Sequence, residues 1–326
     1  MKIFRHHDAV PPRRRGAVLA LGTFDGFHRG HQAVVAAAGR LARAMGTSLG
    51  VMTTEPHPRL FFRPDQTPFL LSPFRAKAHY LERFGVDTLF VLGFDAKIAA
   101  MPAQDFVTDI LIKGFGALHV VVGYDYSFGR GRAGDAALLA WMGKMEGLGV
   151  SIIDPVANGG AVFSSTAVRE LLQAGKPQDA AALLGHWWTI EGHVQQGDQR
   201  GRTIGFPTAN VPMDDYLRPH LGVYAVRARL DGPNGPIYQG VANIGRRPTF
   251  DKKDILMEVH LFDFAGDLYG RSMAVELADF IRGERKFDGL DALKAQIAAD
   301  SQTARHWLAS PEAAPERFAL QPFDAG

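Results

Sequence analysis

Two histidines three residues apart, His28 and His31, stand in a glycine-punctuated run, Gly22-Thr23-Phe24-Asp25-Gly26-Phe27-His28-Arg29-Gly30-His31. Imidazoles can donate hydrogen bonds to charge growing on phosphate oxygens, and Gly22, Gly26 and Gly30 let the backbone approach an anion closely. A phosphorus centre in transfer needs that electrostatic support more than it needs a nucleophile. The apolar run 17–21 before it reads as a strand, and a helical pattern starts around His31. At such a junction the free N–H groups of a helix N-terminus are open to phosphate. The plainer alternative is a glycine-rich turn with two surface histidines; the strand and helix on either side of His-x-Gly-His favour a nucleotide site. Zinc is disfavoured, because the chain has no cysteine and no carboxylate at ligand spacing.

Three further segments of the first half carry polar chemistry. Glu55-Pro56-His57-Pro58-Arg59 reads as a proline-rich turn. The segment 123–135 puts Tyr124, Tyr126 and Phe128 beside Arg130 and Arg132, a mixture suited to a ring system and its phosphate, or to a solvated turn. It contains a Gly-x-Gly-x-x-Gly with Asp154 downstream, but five residues separate it from Gly123 and the strand before it is the fourth, which rejects a dinucleotide fingerprint. Ser164-Ser165-Thr166-Ala167-Val168-Arg169 opens a helix, with hydroxyls for an N-cap and Arg169 one turn in for a phosphate. No Walker A sequence occurs, so P-loop chemistry is unsupported.

In the second half, Thr208 and Asn210 lie two apart in Gly205-Phe206-Pro207-Thr208-Ala209-Asn210. If the segment is extended they face one side, and their neutral oxygens could converge on Mg²⁺ shared with substrate phosphates. A side-chain-stabilised turn after Pro207 explains the same spacing. Glu258 interrupts an otherwise apolar strand pattern; it is either the polar face of a sheet or a general base for a hydroxyl attacking phosphate.

These residues need elements to position them. A chain of 326 residues exceeds the usual single core, so two domains are expected. Runs 17–21, 49–53, 88–92, 119–122 and 151–153 alternate with helical patterns, which predicts parallel βαβ units covered on both faces. From residue 189 to about 280 the helical period gives way to short alternating segments cut by Gly and Pro, as in a small antiparallel barrel, and a last helix carries Leu290, Leu293 and Ile297. The predicted division is 1–184, a linker 185–188, 189–308, and a loosely packed tail 309–326. Hydrophobic residues at 46% and charged residues at 21% exclude disorder as the main character. A net charge of +2 is too slight to argue for nucleic acid. No run reaches a membrane span and the basic start lacks a cleavage pattern, so the cytoplasm is the expectation; oligomeric state is open.

The run 22–31 resembles the signature of the His-x-Gly-His nucleotidyltransferases, a Rossmann-like α/β superfamily that moves an adenylyl or cytidylyl group and releases pyrophosphate. The resemblance implies that Gly22, Phe24, His28, His31, Ser164, Thr166 and Arg169 hold ATP and its phosphates. One departure is Ala167, where many relatives carry a basic residue. Gly-Phe-Pro-Thr-Ala-Asn at 205–210, Gly-Val-Ala-Asn-Ile-Gly at 240–245 and Glu-Val-His-Leu-x-Asp-Phe at 258–264 resemble riboflavin kinase, a small β-barrel. That implies Thr208 and Asn210 at the metal, Glu258 as base, and Gly201, Thr203, Gly205, Asn243 and Arg285 around ATP and flavin. The two in this order resemble the bacterial bifunctional riboflavin kinase/FMN adenylyltransferase family. Its expected activity is riboflavin to FMN in the second half and FMN to FAD in the first, with ATP as co-substrate and Mg²⁺, and with Asp125, Phe128 and Arg130 toward the flavin. No nucleic-acid or membrane partner is implied. A transferase for another phosphate ester, a flavin carrier without turnover and an RNA-binding enzyme are the alternatives.

Overall fold

The computed structural model describes residues 1–5, 10–12, 15–158, 161–196, 205–246 and 255–324. They form two compact units. The first comprises Met1–Thr67, Lys77–Ser164 and Leu320–Gly326; the second comprises Pro68–Ala76 and Ser165–Ala319.

The first unit is built on β1 (Lys2–Phe4), β2 (Val18–Leu21), α1 (Arg29–Ala44), β3 (Leu49–Glu55), α2 (Phe74–Arg83, whose first turn is counted with the second unit), β4 (Thr88–Gly93), β5 (His119–Gly123), α3 (Ala136–Glu146) and β6 (Gly149–Ile153). Its sheet runs β1-β4-β3-β2-β5-β6, with every pair parallel. The central strands are buried over most of their length and largely apolar, as strands covered on both faces must be. The five runs foreseen from sequence are β2 to β6. Strand β1 was not foreseen: three residues on a sheet edge, pairing Ile3 with Leu89, carry no pattern. The chain winds outward from β2 through β3 to β4, then returns to lay β5 on the other side of β2. The order therefore reverses between β2 and β5, the kind of point at which open α/β sheets take ligands beyond the carboxyl ends of their strands. Residues 22–28 leave β2 there, and residues 124–135 leave β5 there.

In the second unit, α4 (Ser165–Gln173) and α5 (Pro177–Leu184) precede β7 (Thr189–His193), β8 (Ala209–Pro212), β9 (Gly222–Leu230), β10 (Ile237–Arg246), β11 (Ile255–Leu261), β12 (Ser272–Gly283) and α6 (Leu290–Leu308). The sheet is antiparallel throughout, in the order β7-β12-β9-β10-β11-β8. Its two edges meet where Gln195 N–H donates to the Asn210 carbonyl at 2.8 Å, which nearly closes a barrel. Val223, Ala225 and Val241 pack with Ala304 and Leu308 of α6 on one face of the sheet.

Three expectations differ from the fold. Helices α4 and α5, read with the first half, pack within the second unit. Residues 185–188, read as a linker, hold Trp187 and Trp188, both buried; Trp188 donates its indole N–H to the Leu71 carbonyl at 2.8 Å. Nor is the tail loose. Phe318 packs edge-on against Trp187, and the buried Arg227 donates to the Ala313 carbonyl. Leu320 is buried, and the Phe323 ring lies against Phe84 with Arg43 stacked 5.3 Å from its centroid. Aromatic rings, invisible in an Ala- and Pro-rich composition, anchor the segment.

Candidate active sites

The first site grows from the loop after β2. Three of its residues have positive φ: Phe24 at 50°, Gly26 at 79° and Phe27 at 44°. Such strain in non-glycine residues persists only where the surroundings over-determine it. Here both phenylalanine rings are buried in the unit and hold the loop. Gly22 makes room for this, since a Cβ there would lie 3.1 Å from the Phe24 ring. His28 is the N-cap of α1, its Nδ1 accepting from the His31 N–H at 3.4 Å. An accepting Nδ1 puts the neutral imidazole's proton on Nε2, which is thereby a donor. The two imidazoles stack with centroids 3.7 Å apart and 24° between planes, and His31 meets the Phe24 edge at 5.2 Å. Gly30 fits between, because a Cβ there would be 3.1 Å from the His28 ring and 3.3 Å from the Phe163 carbonyl. The first turn of α1 has no acidic residue of its own to offset the positive end of its dipole. Histidine donors and helix N-terminus together suit a polyphosphate.

The loop after β5 leaves Asp125 and Arg130 exposed. Phe128 is instead buried among the core, with Phe106 at 5.3 Å and Tyr126 at 5.7 Å. Burial pushes the Tyr126 phenol above its ordinary range. Residues 55–59 do form a turn: His57 caps the short helix Pro58–Phe62 by accepting from the Arg59 N–H at 3.1 Å. Ser164 belongs to the first unit and Thr166 and Arg169 to the second. Thr166 is exposed on the first turn of α4, while Arg169 Nε donates to the Phe69 carbonyl at 2.9 Å and its guanidinium lies 5.2 Å from the Phe69 ring.

The second site is a row across three strands. Asn210 of β8 opposes Glu258 of β11, and Glu258 opposes Asn243 of β10. Directly opposed residues point to one face with Cβ atoms roughly 4.5–5.5 Å apart. The alternate residues Val211, Ala242, Ile244, Met257 and Val259 are buried, so the row stands on the other face, which Asn243 shares with its partner Val223. Glu258 is exposed. Asn210 is 7% exposed, and its Oδ1 has no hydrogen-bond partner among the described residues. A buried acceptor of this kind is unusual and suits a hard cation. Thr208, exposed, is two residues earlier, just before β8. His260 fixes that stretch through a 2.9 Å hydrogen bond with the Pro207 carbonyl. Neutral oxygens plus one carboxylate fit a magnesium ion that takes its other ligands from phosphate. Among the described residues there is no cluster of three or more His, Asp or Glu that would hold a metal by itself.

Gly205 has φ of 89°, a conformation that glycine adopts without strain. Gly201 and Thr203 lie outside the described residues. Near the end of β12, Arg282 grips Asp300 of α6 through three hydrogen bonds of 2.7–3.1 Å. Phe287 then lies 5.6 Å from the Arg282 guanidinium and 5.1 Å from that of Arg285, which fixes the loop bearing Arg285. The run 282–287 resembles the riboflavin kinase loop over flavin and nucleotide, but sequence reasoning assigned Glu284 in it no role of its own. A Cβ on Gly245 would sit 2.5 Å from the Glu284 Oε1 and 3.2 Å from Asn243 Nδ2, so this carboxylate overhangs the row.

Residues 10–167 match the FAD synthetase family and residues 184–308 the riboflavin kinase family. The chain is 43% identical over 309 residues to the bifunctional riboflavin kinase/FMN adenylyltransferase of Escherichia coli (strain K12), covering 94% of this chain and 98% of that one. It is 37% identical over 310 residues to the protein of that description from Bacillus subtilis (strain 168), covering 93% and 96%. A solved Streptococcus pneumoniae structure, described as a macrolide-efflux protein, is similar with a TM-score of 0.82 at 33% identity, over 94% of this chain and 98% of that one. Among the described residues of this chain, no helix is long and apolar enough to cross a membrane.

Proposed function

The chain belongs to the family of bifunctional riboflavin kinase/FMN adenylyltransferases, and on that basis we propose how its two sites divide the work. It phosphorylates riboflavin to FMN in the second unit and adenylylates FMN to FAD in the first. The observation that carries this reading is one phosphate-handling site in each unit: the stacked His28 and His31 at the head of α1, and the row Asn210–Glu258–Asn243.

In the kinase site, the Glu258 carboxylate takes the proton from the riboflavin 5′-hydroxyl as that oxygen attacks the γ-phosphorus of ATP, and ADP leaves. Thr208 and Asn210 would hold Mg²⁺, which supplies charge neutralisation for the transferring phosphoryl group. Gly205, Asn243 and Arg285 line the nucleotide and flavin, with Gly201 and Thr203 assigned to the same role from sequence. In the adenylyltransferase site, an oxygen of the FMN phosphate attacks the α-phosphorus of a second ATP and pyrophosphate leaves. His28 and His31 donate hydrogen bonds to the developing charge. Gly22 and Phe24 shape the loop, and Ser164, Thr166 and Arg169 are assigned to phosphates from sequence. Asp125 and Arg130 face the flavin, with Phe128 supporting them from the core. We place the protein in the cytoplasm, where both substrates are made available.

Purified protein with riboflavin, ATP and Mg²⁺ should yield FMN and then FAD on chromatography. Glu258→Gln should stop FMN formation and spare conversion of supplied FMN to FAD; His31→Ala should do the reverse. Loss of both activities from either change in a folded protein would refute the division.

A further inference from the structure

Lys77 of α2 is buried, with 1% of its surface exposed, yet neither reaction uses it. Its Nζ donates to Glu55 Oε1 at 2.7 Å and, more weakly, to Thr53 Oγ1 at 3.4 Å. Thr53 and Glu55 are two apart on β3 and so share a face of the strand. Thr53 in turn donates its hydroxyl proton to the Thr23 carbonyl at 3.1 Å. The direction of this chain is fixed: an ammonium can only donate, so the hydroxyl receives it with a lone pair and points its own proton at Thr23.

Thr23 matters because of where it lies. The backbone pairing of β2 with β3 runs out at the Gly22 N–H to Met52 carbonyl bond, 3.2 Å long. The next residue, Thr23, is held by a side chain instead, at the point where the loop to His28 departs. A buried ammonium is costly to desolvate, and an apolar residue of similar volume usually stabilises such a position equally well or better. Packing therefore gives no reason for a lysine here, whereas orienting the Thr53 hydroxyl does.

We infer that Lys77 is a positioning residue for FMN adenylylation, fixing through Thr53 the departure of the loop that carries Phe24, His28 and His31. The inference rests on reading that loop as the triphosphate site. Thr53→Val keeps the volume and the Lys77–Glu55 pair but cuts the link to Thr23; Thr53→Ser keeps the hydroxyl; Lys77→Met removes the charge. Each full-length variant is assayed for FMN adenylylation and for riboflavin phosphorylation, the second serving as a control within one molecule. Misplacing a reacting group costs rate steeply, so Thr53→Val and Lys77→Met should each lower kcat for adenylylation about tenfold, with KM for FMN within about twofold of wild type. Riboflavin phosphorylation should hold, and Thr53→Ser should restore the rate. The double variant should be no slower than Lys77→Met, since both changes cut one chain. Wild-type kcat in Thr53→Val, a multiplicative loss in the double variant, or a parallel fall in phosphorylation would overturn the inference, and the Thr53 pair decides it even if Lys77→Met fails to fold. A wild-type chain that makes no FAD from FMN would overturn the reading of the loop itself.

Discussion

Replacing Asn210 by Leu keeps the branched side-chain skeleton while removing both polar atoms, and it should separate stability from activity. Asn210 Oδ1 is buried without a partner among the described residues, and the backbone carbonyl of Asn210, which accepts from Gln195, is untouched by the change. A buried acceptor left unpaired costs about 1–3 kcal/mol, so its removal should stabilise the second unit by about 1–2 kcal/mol in Mg²⁺-free buffer, after allowance for any hydrogen bond lost by Nδ2. For a unit of this size that is a rise of about 2–8 °C in the melting temperature. Riboflavin phosphorylation should fall about a hundredfold or more, the scale on which groups clamping a transferring phosphoryl count. Tryptophan fluorescence suits the measurement, because Trp187, Trp188 and Trp307 all report on the second unit and Trp187 and Trp188 are buried. A variant that melts below wild type in EDTA would refute the claim that the amide oxygen waits for a cation. So would one that still phosphorylates riboflavin at the wild-type rate.

Phe323→Ala removes a half-buried ring from its seat on α1 and should destabilise the first unit by about 1–2 kcal/mol, less than a full core truncation, read as loss of adenylylation at lower urea while phosphorylation persists. Gly39→Ala should be equally harmful although alanine is the better helix former, because its Cβ would lie 2.5 Å from the Phe323 ring. Burial depresses the His119 pKa below its ordinary 6.5. The folded state then binds fewer protons than the unfolded state, so stability is full above about pH 6.5 and drains as pH falls through the depressed value. His119→Gln should flatten that slope in a denaturation series between pH 5 and 7. Asp300→Asn breaks the grip on Arg282 and should cost about 2–3 kcal/mol, somewhat below a fully buried pair, with a raised KM for riboflavin as the 284–288 loop loosens.

Much of this was legible before the fold was known. Strands β2 to β6 announce themselves as short runs rich in Val, Leu and Ile, most deeply buried in β2, β4 and the first part of β3. His28 and His31 are legible because helix capping and phosphate chemistry demand the same short spacing. Glu258 stands out against buried neighbours. What local pattern could not supply was opposition: Asn210, Glu258 and Asn243 become one site only through strand register, and Glu284 joins them only because the chain returns over Gly245. Lys77 reads in sequence as a solvated helix lysine, since nothing nearby marks Thr53 and Glu55 as its partners. Composition misled at residues 309–324, where Phe318, Leu320 and Phe323 outweigh the alanines and prolines around them, and at Trp187 and Trp188, where a change of texture looked like a linker.

The two units are interleaved along the polypeptide: residues 68–76 belong with the later one and residues 320–324 with the earlier. During synthesis, amino-terminal segments emerge first and begin to fold first. Here the nascent first unit must wait for the ribosome to deliver its final stretch, leaving the groove beside Gly39 and Gly85 bare through translation of everything between. A single break in the gene cannot yield two whole halves, and expression of either alone would leave an apolar surface uncovered and prone to aggregation.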